Sequence, residues 1–300
     1  MSLSQHDMGR AFEYSIAMRL SEYLPAPIED SLPVLNARKC FVLAPARERE
    51  NMRTAAKEAV AFIVAHDIRL AEKNCTISIQ TDQVGRYGDV RDIIIDNTKL
   101  KQQVGISAKN RHRAVKHSRL SERIDFGNDW FAVHCSDSYF HKIVPIFREL
   151  NDRKQRGEKW RDIPDKRQIY YMPILQAFRC EMALLFEKHP DKVAKSLVKY
   201  LLGKYDYYKV IKENGTVSIM SFNIDGTLKW GSKLPLPTRI IEISQKPSSE
   251  TTIFMTFDHG WQISFRIHNA STLVEPSLKF DINIVGLPSN MSRQVINYLE

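Results

Sequence analysis

The spacing of hydrophobic residues near the start of the chain predicts an amphipathic helix over residues 8–24. Its apolar positions recur every fourth residue, at Phe12, Ile16, Leu20 and Leu24. Ser4 or Asp7 is the expected N-cap, and Pro25 stops the helix. On a helical wheel Glu13 falls on the apolar side, so its carboxylate points toward the core. A buried carboxylate requires a cation, a hydrogen-bond donor or a metal ion as its partner.

After this helix the pattern changes to loop, then to helix, and then to strand periodicity. Prolines interrupt residues 28–45, which we predict to be loop, and residues 46–72 repeat apolar positions at helical spacing. Residues 112–124 are predicted to be helical, and residues 130–135 to form a short buried strand. Before them, a period of two predicts three strands joined by turns, at residues 75–82, 89–96 and 103–109. This order predicts an α/β (α+β) fold, in which a mixed sheet is flanked by helices.

The second half of the chain separates into a helical part and a β-rich part. Amphipathic helices are predicted over residues 140–154, 174–189 and 191–204. From residue 205 onward, short alternating β segments and turn signals replace them. We therefore expect a core with added helices over residues 1–204, and a β-rich subdomain packed on that core over residues 205–300.

The net charge of the chain indicates what kind of molecule it could bind. The chain has 44 Lys and Arg residues against 35 Asp and Glu residues, a net charge of +9. This excess is compatible with a polyanionic partner, because basic side chains that neutralise phosphates release condensed counterions. We find no G-x-G-x-x-G, P-loop or H-E-x-x-H motif, so an enzyme that acts on small molecules fits the sequence poorly.

The cysteines and the apolar runs indicate a cytoplasmic protein. The four cysteines are scattered without a C-x-x-C pair, so we expect reduced thiols rather than a zinc ribbon or a disulfide framework. No apolar run is long enough to cross a membrane, and the first residues lack the pattern of a secretory signal.

Two of the predicted strands carry candidate catalytic groups at adjoining ends. Asp92 precedes the apolar run in GDVRDIIID, while Ser107 and Lys109 share one face of the strand in QVGISAK, because side chains alternate along a strand. A tight meander would bring Asp92 and Lys109 together at one edge of the sheet. The carboxylate could hold a hard cation such as Mg²⁺, and the ammonium could stabilise the charge that develops during phosphodiester hydrolysis. A surface salt bridge is the alternative interpretation.

Longer stretches of the chain resemble a known family. The order of the predicted elements resembles the PD-(D/E)XK nuclease core. That core has a helix with a glutamate, a meander of strands with an aspartate and then a (D/E)-x-Lys motif, a second helix and a further strand. The chain is more specifically similar to the HaeIII family of type II restriction endonucleases. Four stretches carry this similarity: GDVRDIII, GISAKNRHRAVKHSRLS, IDFGNDWF and WQISFRIHNASTLVEPSLKFDINIVGLP. The resemblance covers about residues 9–288. It implies Mg²⁺-dependent cleavage of double-stranded DNA at GGCC, with a cognate DNA methyltransferase that protects host sites.

The resemblance also implies roles for individual residues. Asp92 matches the metal-binding aspartate, Lys109 the catalytic lysine, and Glu13 the glutamate of the first helix. Ser107 stands where the superfamily has Asp or Glu, and a serine cannot supply the second carboxylate. Its replacement is left open among Glu13, Glu122 and Asp125, with Asp89 and Asp96 as weaker alternatives. The main-chain carbonyl of Ala108 is a further candidate metal ligand.

Contacts with DNA are expected from two basic groups, because Arg and Lys donate to guanine and to phosphate oxygens. The first group follows the lysine: Arg111, His112, Arg113, Lys116, His117 and Arg119. The second lies in KWGSKLPLPTR and places the β-rich subdomain against DNA: Lys229, Lys233 and Arg239. A palindromic site favours a twofold homodimer. Two other interpretations stay open. One is a non-catalytic basic DNA-binding protein, which Ser107 favours, and the other is a repair or recombination nuclease with the same core.

Overall fold

The computed structural model describes residues 3–71, 74–81, 88–111 and 116–298, with the backbone alone at residues 71, 116 and 117. The α-helices, in chain order, are α1 (Gln5–Tyr23), α2 (Leu32–Leu43), α3 (Ala46–His66), α4 (Phe126–Phe131), α5 (Asp137–Gln155), α6 (Met172–Lys188) and α7 (Pro190–Leu202). The strands are β1 (Cys75–Ile79), β2 (Ile93–Asn97), β3 (Gln102–Asn110), β4 (Lys116–Leu120), β5 (Tyr207–Lys212), β6 (Thr216–Phe222), β7 (Ile240–Gln245), β8 (Thr252–Phe257), β9 (Gln262–His268), β10 (Leu278–Gly286) and β11 (Arg293–Asn297).

The chain divides into two compact units, and it passes between them four times. The first unit contains Met1–Arg113, Leu202–Pro235 and Asn290–Glu300. The second contains Ala114–Leu201 and Leu236–Ser289. This division differs from the predicted boundary between residues 204 and 205. Strands β5, β6 and β11, which lie within the predicted β-rich subdomain, belong to the sheet of the first unit.

The sheet of the first unit has the order β1-β2-β3-β5-β6-β11. Its neighbours are antiparallel except β3 and β5, which run parallel. One face packs on helices α1 and α3, where Phe12 and Ile16 share a core with Ile106 and Ala108. The predicted mixed sheet flanked by helices is therefore confirmed.

Local signals explain how α1 begins. Ser4 is the N-cap: its Oγ accepts from Asp7 N at 3.1 Å, and its own amide donates to Asp7 Oδ2 at 3.2 Å. The two bonds form a capping box, which satisfies amides that have no partner inside the helix. The start of the helix is thereby fixed, and with it the position of Glu13.

The second unit contains the other sheet, with the order β4-β10-β9-β8-β7. Rings from helices and strands fill its core: the centroid of Phe178 lies 4.8 Å from that of Phe126 and 5.0 Å from that of Phe280. The four cysteines form no disulfide bond with one another in the structure. Among the helices of the described ranges, none combines the length and the apolar character that crossing a bilayer requires.

Three predicted elements are wrong. Residues 28–45 contain helix α2 rather than only loop, because Pro33 falls in the first turn, where a helix tolerates proline. Residues 112–124, predicted as helix, contain strand β4, which pairs with β10. Residues 130–135, predicted as a strand, overlap helix α4, which Asp125 caps by accepting from Asn128 N at 3.0 Å.

Candidate active site

Asp92 immediately precedes β2, and β3 surrounds its carboxylate with donors. Its Oδ2 accepts from Ser107 Oγ at 3.0 Å, from Ala108 N at 2.7 Å and from Lys109 Nζ at 3.0 Å. None of these three bonds uses Oδ1. The predicted convergence of Asp92 and Lys109 is therefore present in the structure, while their catalytic roles stay predictions. The side chains of Lys109 and Asp92 keep 27% and 20% of their surface exposed, so a ligand can reach both.

A second network fixes the backbone on both sides of Asp92. Gln80 N donates to Asp92 O at 2.9 Å. Gln80 Nε2 donates to Asp89 Oδ2 at 3.0 Å and to Arg91 O at 3.1 Å. Arg91 in turn donates to both oxygens of Asp89. Asp89, a weaker candidate ligand, is thus engaged by Arg91, and Asp96 lies farther along β2 opposite Gln103.

Glu13 comes from α1 and is almost fully buried, with 7% of its surface exposed. Its Oε2 accepts from Arg10 Nη1 at 2.9 Å, and the same nitrogen donates to Gln80 O at 3.0 Å. Burial and the negative charge of Asp92 together raise the pKa of Glu13 to about 8, against the opposing effects of Arg10 and Lys109. The structure thus brings Glu13 and Asp92 close enough for their charges to repel.

The two carboxylates fit a hard divalent cation. Glu13 and Asp92 supply oxygen atoms, the ligands that Mg²⁺ prefers, and a cation between them would relieve the repulsion that raises the pKa of Glu13. In the described part of the chain, no set of three or more His, Cys, Asp or Glu side chains is arranged to hold a metal ion. The candidate site is therefore a pair of carboxylates, with the carbonyl of Ala108 as the candidate third ligand.

Glu122 and Asp125, the other candidate ligands, belong to the second unit, where they have their own contacts. Asp125 accepts from Asn128 N and Cys135 N, each at 3.0 Å, and lies 2.8 Å from His134 Nδ1. These bonds hold its pKa below the ordinary value against the effect of burial. Glu122 Oε2 lies 3.6 Å from Arg148 Nε. Asp125 and Glu122 therefore have the contacts of structural carboxylates. Metal binding by these two residues stays a prediction, and their surroundings do not favour it.

The first basic group is only partly described. Arg111 is exposed, donates to Glu48 Oε1 at 3.0 Å, and has a positive φ of 58°. Arg119 is also exposed and donates to Ser277 Oγ at 2.8 Å within the second unit. His112 and Arg113 lie outside the described residues, as do the side chains of Lys116 and His117.

The second basic group is divided between the two units. Lys229 and Lys233 are exposed in the first unit, whereas Arg239 is exposed in the second. The amide of Arg239 donates to Asp258 Oδ1 at 3.1 Å, which orders the start of β7. Exposure makes contact with phosphates feasible for all three, and their DNA-binding role stays a prediction.

Sequence reasoning missed several residues of the site. Arg10 could have been found, because it lies three residues before Glu13 on one helix face. Lys209 also left a signal, since it is the one charged residue inside the apolar run YYKVI of β5, where every position is buried. Gln80 and Arg91 left none, because their contacts depend on how separate strands pair.

The regions in which the chain matches known proteins include the candidate site. A model of the HaeIII restriction endonuclease family matches residues 9–288. The type II restriction enzyme HaeIII of Haemophilus aegyptius is 38% identical over 309 aligned residues, which cover 97% of each chain. No solved structure matches the chain. The span matched by the family includes Glu13, Asp92, Ser107 and Lys109.

Proposed function

Because the chain belongs to the HaeIII restriction endonuclease family, we propose that it is a type II restriction endonuclease that cleaves double-stranded DNA at GGCC with Mg²⁺. The family match supports cleavage of DNA. The observation that carries the site assignment is the convergence of Ser107 Oγ, Ala108 N and Lys109 Nζ on one oxygen of Asp92.

Each residue of the candidate site has its own role in the proposed reaction. Asp92, through Oδ1, and Glu13 would hold the divalent cation, with the carbonyl of Ala108 as a further ligand. When bound, the cation polarises the scissile phosphate and lowers the pKa of a water molecule. Ser107 and the amide of Ala108 orient Asp92 by donating to its other oxygen. Lys109 stabilises the negative charge that develops on the phosphate, because its ammonium is fixed beside Asp92 before the reaction starts.

Digestion of plasmid DNA tests the activity, the sequence and the metal in one experiment. The purified protein is incubated with a plasmid of known sequence, with Mg²⁺ or with EDTA, and the fragment ends are sequenced. We expect discrete fragments whose ends all lie in GGCC, with Mg²⁺ only. The matched control is the same plasmid with every GGCC changed by one base pair, which should stay intact. Fragments from this control would refute GGCC as the site.

The two other interpretations give different results in that experiment. A non-catalytic DNA-binding protein would bind the plasmid without nicking it over hours. A repair or recombination nuclease would prefer branched or damaged duplexes to the intact plasmid. The buried Glu13 beside the partly exposed Asp92 and Lys109 favours a catalytic protein, because a protein that only binds DNA has no need to hold a buried carboxylate next to a second one.

Two partners belong to the same proposal. Reading a palindrome on both strands favours a twofold dimer, which sedimentation of the protein with a GGCC duplex would reveal as two chains per duplex. A cognate DNA methyltransferase protects GGCC in the host. Synthetic duplexes with methylated cytosines in GGCC should therefore resist cleavage while unmethylated ones are cut.

A further inference from the structure

Lys209 is a buried lysine on the strand next to the candidate site. It lies in the middle of β5, and only 4% of its surface is exposed. Strand β5 runs parallel to β3, and Lys209 pairs with Ser107 in the register. On its other side it pairs with Met220 of β6. Since paired residues project from the same face of a sheet, Lys209 shares a face with Ser107 and Lys109.

Asp92, Ser107 and Lys209 form one row across the sheet. Asp92 is held opposite Ser107 by the 3.0 Å bond between their side chains and by the 2.8 Å bond from its amide to Ile106 O. Ser107 in turn lies opposite Lys209. Adjacent strands are about 4.8 Å apart, so the small serine leaves space above it for a long side chain from β5 to approach the carboxylate.

The charges around Lys209 support this position. Burial and the positive charge of Lys109 together lower the pKa of Lys209 to about 8, against the opposing effect of the negative charge of Asp92. Lys209 therefore experiences both charged groups of the candidate site. Its ammonium also lies 6.0 Å from the centroid of the Phe222 ring.

We propose that the ammonium of Lys209 takes the place of a second cation in the Asp92 site, so that the site holds a single divalent cation. This inference rests on the proposed function, because it takes Asp92 to be a cation ligand. Two divalent cations in one site require carboxylate oxygens between them. In this chain Ser107 occupies the position of the second carboxylate, so those oxygens are missing. Lys209 on the neighbouring strand supplies a positive charge instead.

Four proteins form a cycle that tests, without relying on cleavage, whether Lys209 replaces a second cation. They are the natural protein, Ser107→Asp, Lys209→Met and the double variant. The readout is the rise in the melting temperature on replacing EDTA with millimolar Ca²⁺, without DNA. We expect the natural protein and Ser107→Asp to show equal rises, because Lys209 neutralises an added carboxylate. Lys209→Met should show a larger rise, and the double variant the largest.

The expected effect is large enough to measure. A tenfold gain in Ca²⁺ affinity corresponds to about 1.4 kcal/mol, which raises the melting temperature of a chain of this size by about 3 °C. Lys209→Arg keeps the charge and should behave as the natural protein does. Lys209→Gln removes the charge with a polar side chain, and it replaces Lys209→Met in the cycle if the methionine variant does not fold.

The matched control is Lys212→Met. Lys212 is a fully buried lysine of the same strand, but an odd number of residues away, so it lies on the opposite face, 3.6 Å from Glu48 Oε2. Its removal should leave the Ca²⁺-dependent rise unchanged. The proposal is overturned if Lys209→Met and the double variant rise no more than the natural protein, if Ser107→Asp alone rises as much as the double variant, or if Lys212→Met matches Lys209→Met.

Failure of this inference differs from failure of the proposed function. The proposed function fails if the natural protein leaves GGCC plasmid intact with Mg²⁺, whatever the Ca²⁺ cycle shows. The inference fails on the pattern of melting temperatures, even if the natural protein cleaves DNA at every expected site.

Discussion

The side chain of Arg91 lies directly over Gly105, so closely that a Cβ at the glycine would be 2.0 Å from Arg91 Cδ. Arg91 continues to Asp89, with Nη2 2.7 Å from Oδ2, and its guanidinium lies 4.0 Å from the centroid of the Tyr205 ring. Because Arg91 immediately precedes Asp92, this crossing of β3 fixes the segment that carries the candidate metal-binding carboxylate.

Gly105→Ala should destabilise the protein and slow cleavage together. The added methyl group would displace Arg91 and break its ion pair with Asp89, and overpacking of this kind costs about 1–3 kcal/mol. Urea unfolding measures the stability, and plasmid digestion measures the rate. Gly9→Ala is the matched control, since a Cβ there has nothing within 4 Å and α1 should gain up to about 1 kcal/mol. Equal stabilities of the two variants would contradict the steric argument.

Asp92→Asn should abolish cleavage without abolishing duplex binding. The asparagine can keep its carbonyl oxygen toward the three donors of β3, which leaves an NH₂ group where Oδ1 would hold the cation. We expect a loss of roughly 100-fold or more in rate, the order found when one charge-stabilising group is removed. Lys109→Met should lose a similar factor. Cleavage and fluorescence anisotropy with a GGCC duplex are the measurements.

Lys99→Met is the control for the lysine variant, because Lys99 is exposed in the turn between the same two strands. It should cut DNA at the natural rate. Normal cleavage by both Asp92→Asn and Lys109→Met would show that the active site is elsewhere.

The stability of the cation-free protein should fall as the pH rises from about 4.5 to about 8. The folded state raises the pKa of Glu13 to about 8, so over this window the folded chain keeps a proton that the unfolded chain has lost. Stability is therefore lost progressively up to the folded pKa. Urea midpoints in EDTA measure it, and Glu13→Gln should reduce the slope. Parallel curves for the two proteins would contradict the raised pKa.

Arg111→Ala should weaken duplex binding and reduce its salt dependence. If Arg111 contacts one phosphate, the slope of log K against log salt should become less steep by about 0.9. Anisotropy titrations at several salt concentrations measure the slope. Arg19→Ala is the control, since Arg19 is held by Glu22 at 2.6 Å on α1 and should leave the slope unchanged. An unchanged slope for Arg111→Ala would remove it from the DNA interface.

Local periodicity was enough to predict the parts of the fold whose signals are local. Helices α1 and α3 and strands β1 to β3 follow their hydrophobic patterns, and alternation along two strands was enough to bring Asp92 to Lys109. Periodicity did not predict the segments whose secondary structure is determined by tertiary contacts. Helix α2 leaves Leu32 and Leu43 exposed, so its pattern is not amphipathic, and the basic segment around Arg119 becomes a strand only because β10 pairs with it.

The remaining part of the candidate site depends on pairing between distant segments. Lys209 reaches Ser107 through a parallel register between strands that the second unit separates in sequence. Arg91 reaches its position because Gly105 on the neighbouring strand has no side chain. Neither relationship leaves a pattern in one segment alone, so the sequence indicates the candidate pair, Asp92 and Lys109, but not the residues that support it.

The place of β5 in the first sheet also has a consequence for synthesis of the protein. A ribosome produces Glu13, Asp92 and Lys109 well before β5, β6 and β11, and domains fold as their segments emerge. Until β5 arrives, the growing chain has β3 as an open edge, without the strand that carries Lys209. The sheet of the first unit can therefore be completed only after β11 has been made, and any function that needs the complete sheet has to wait for that strand.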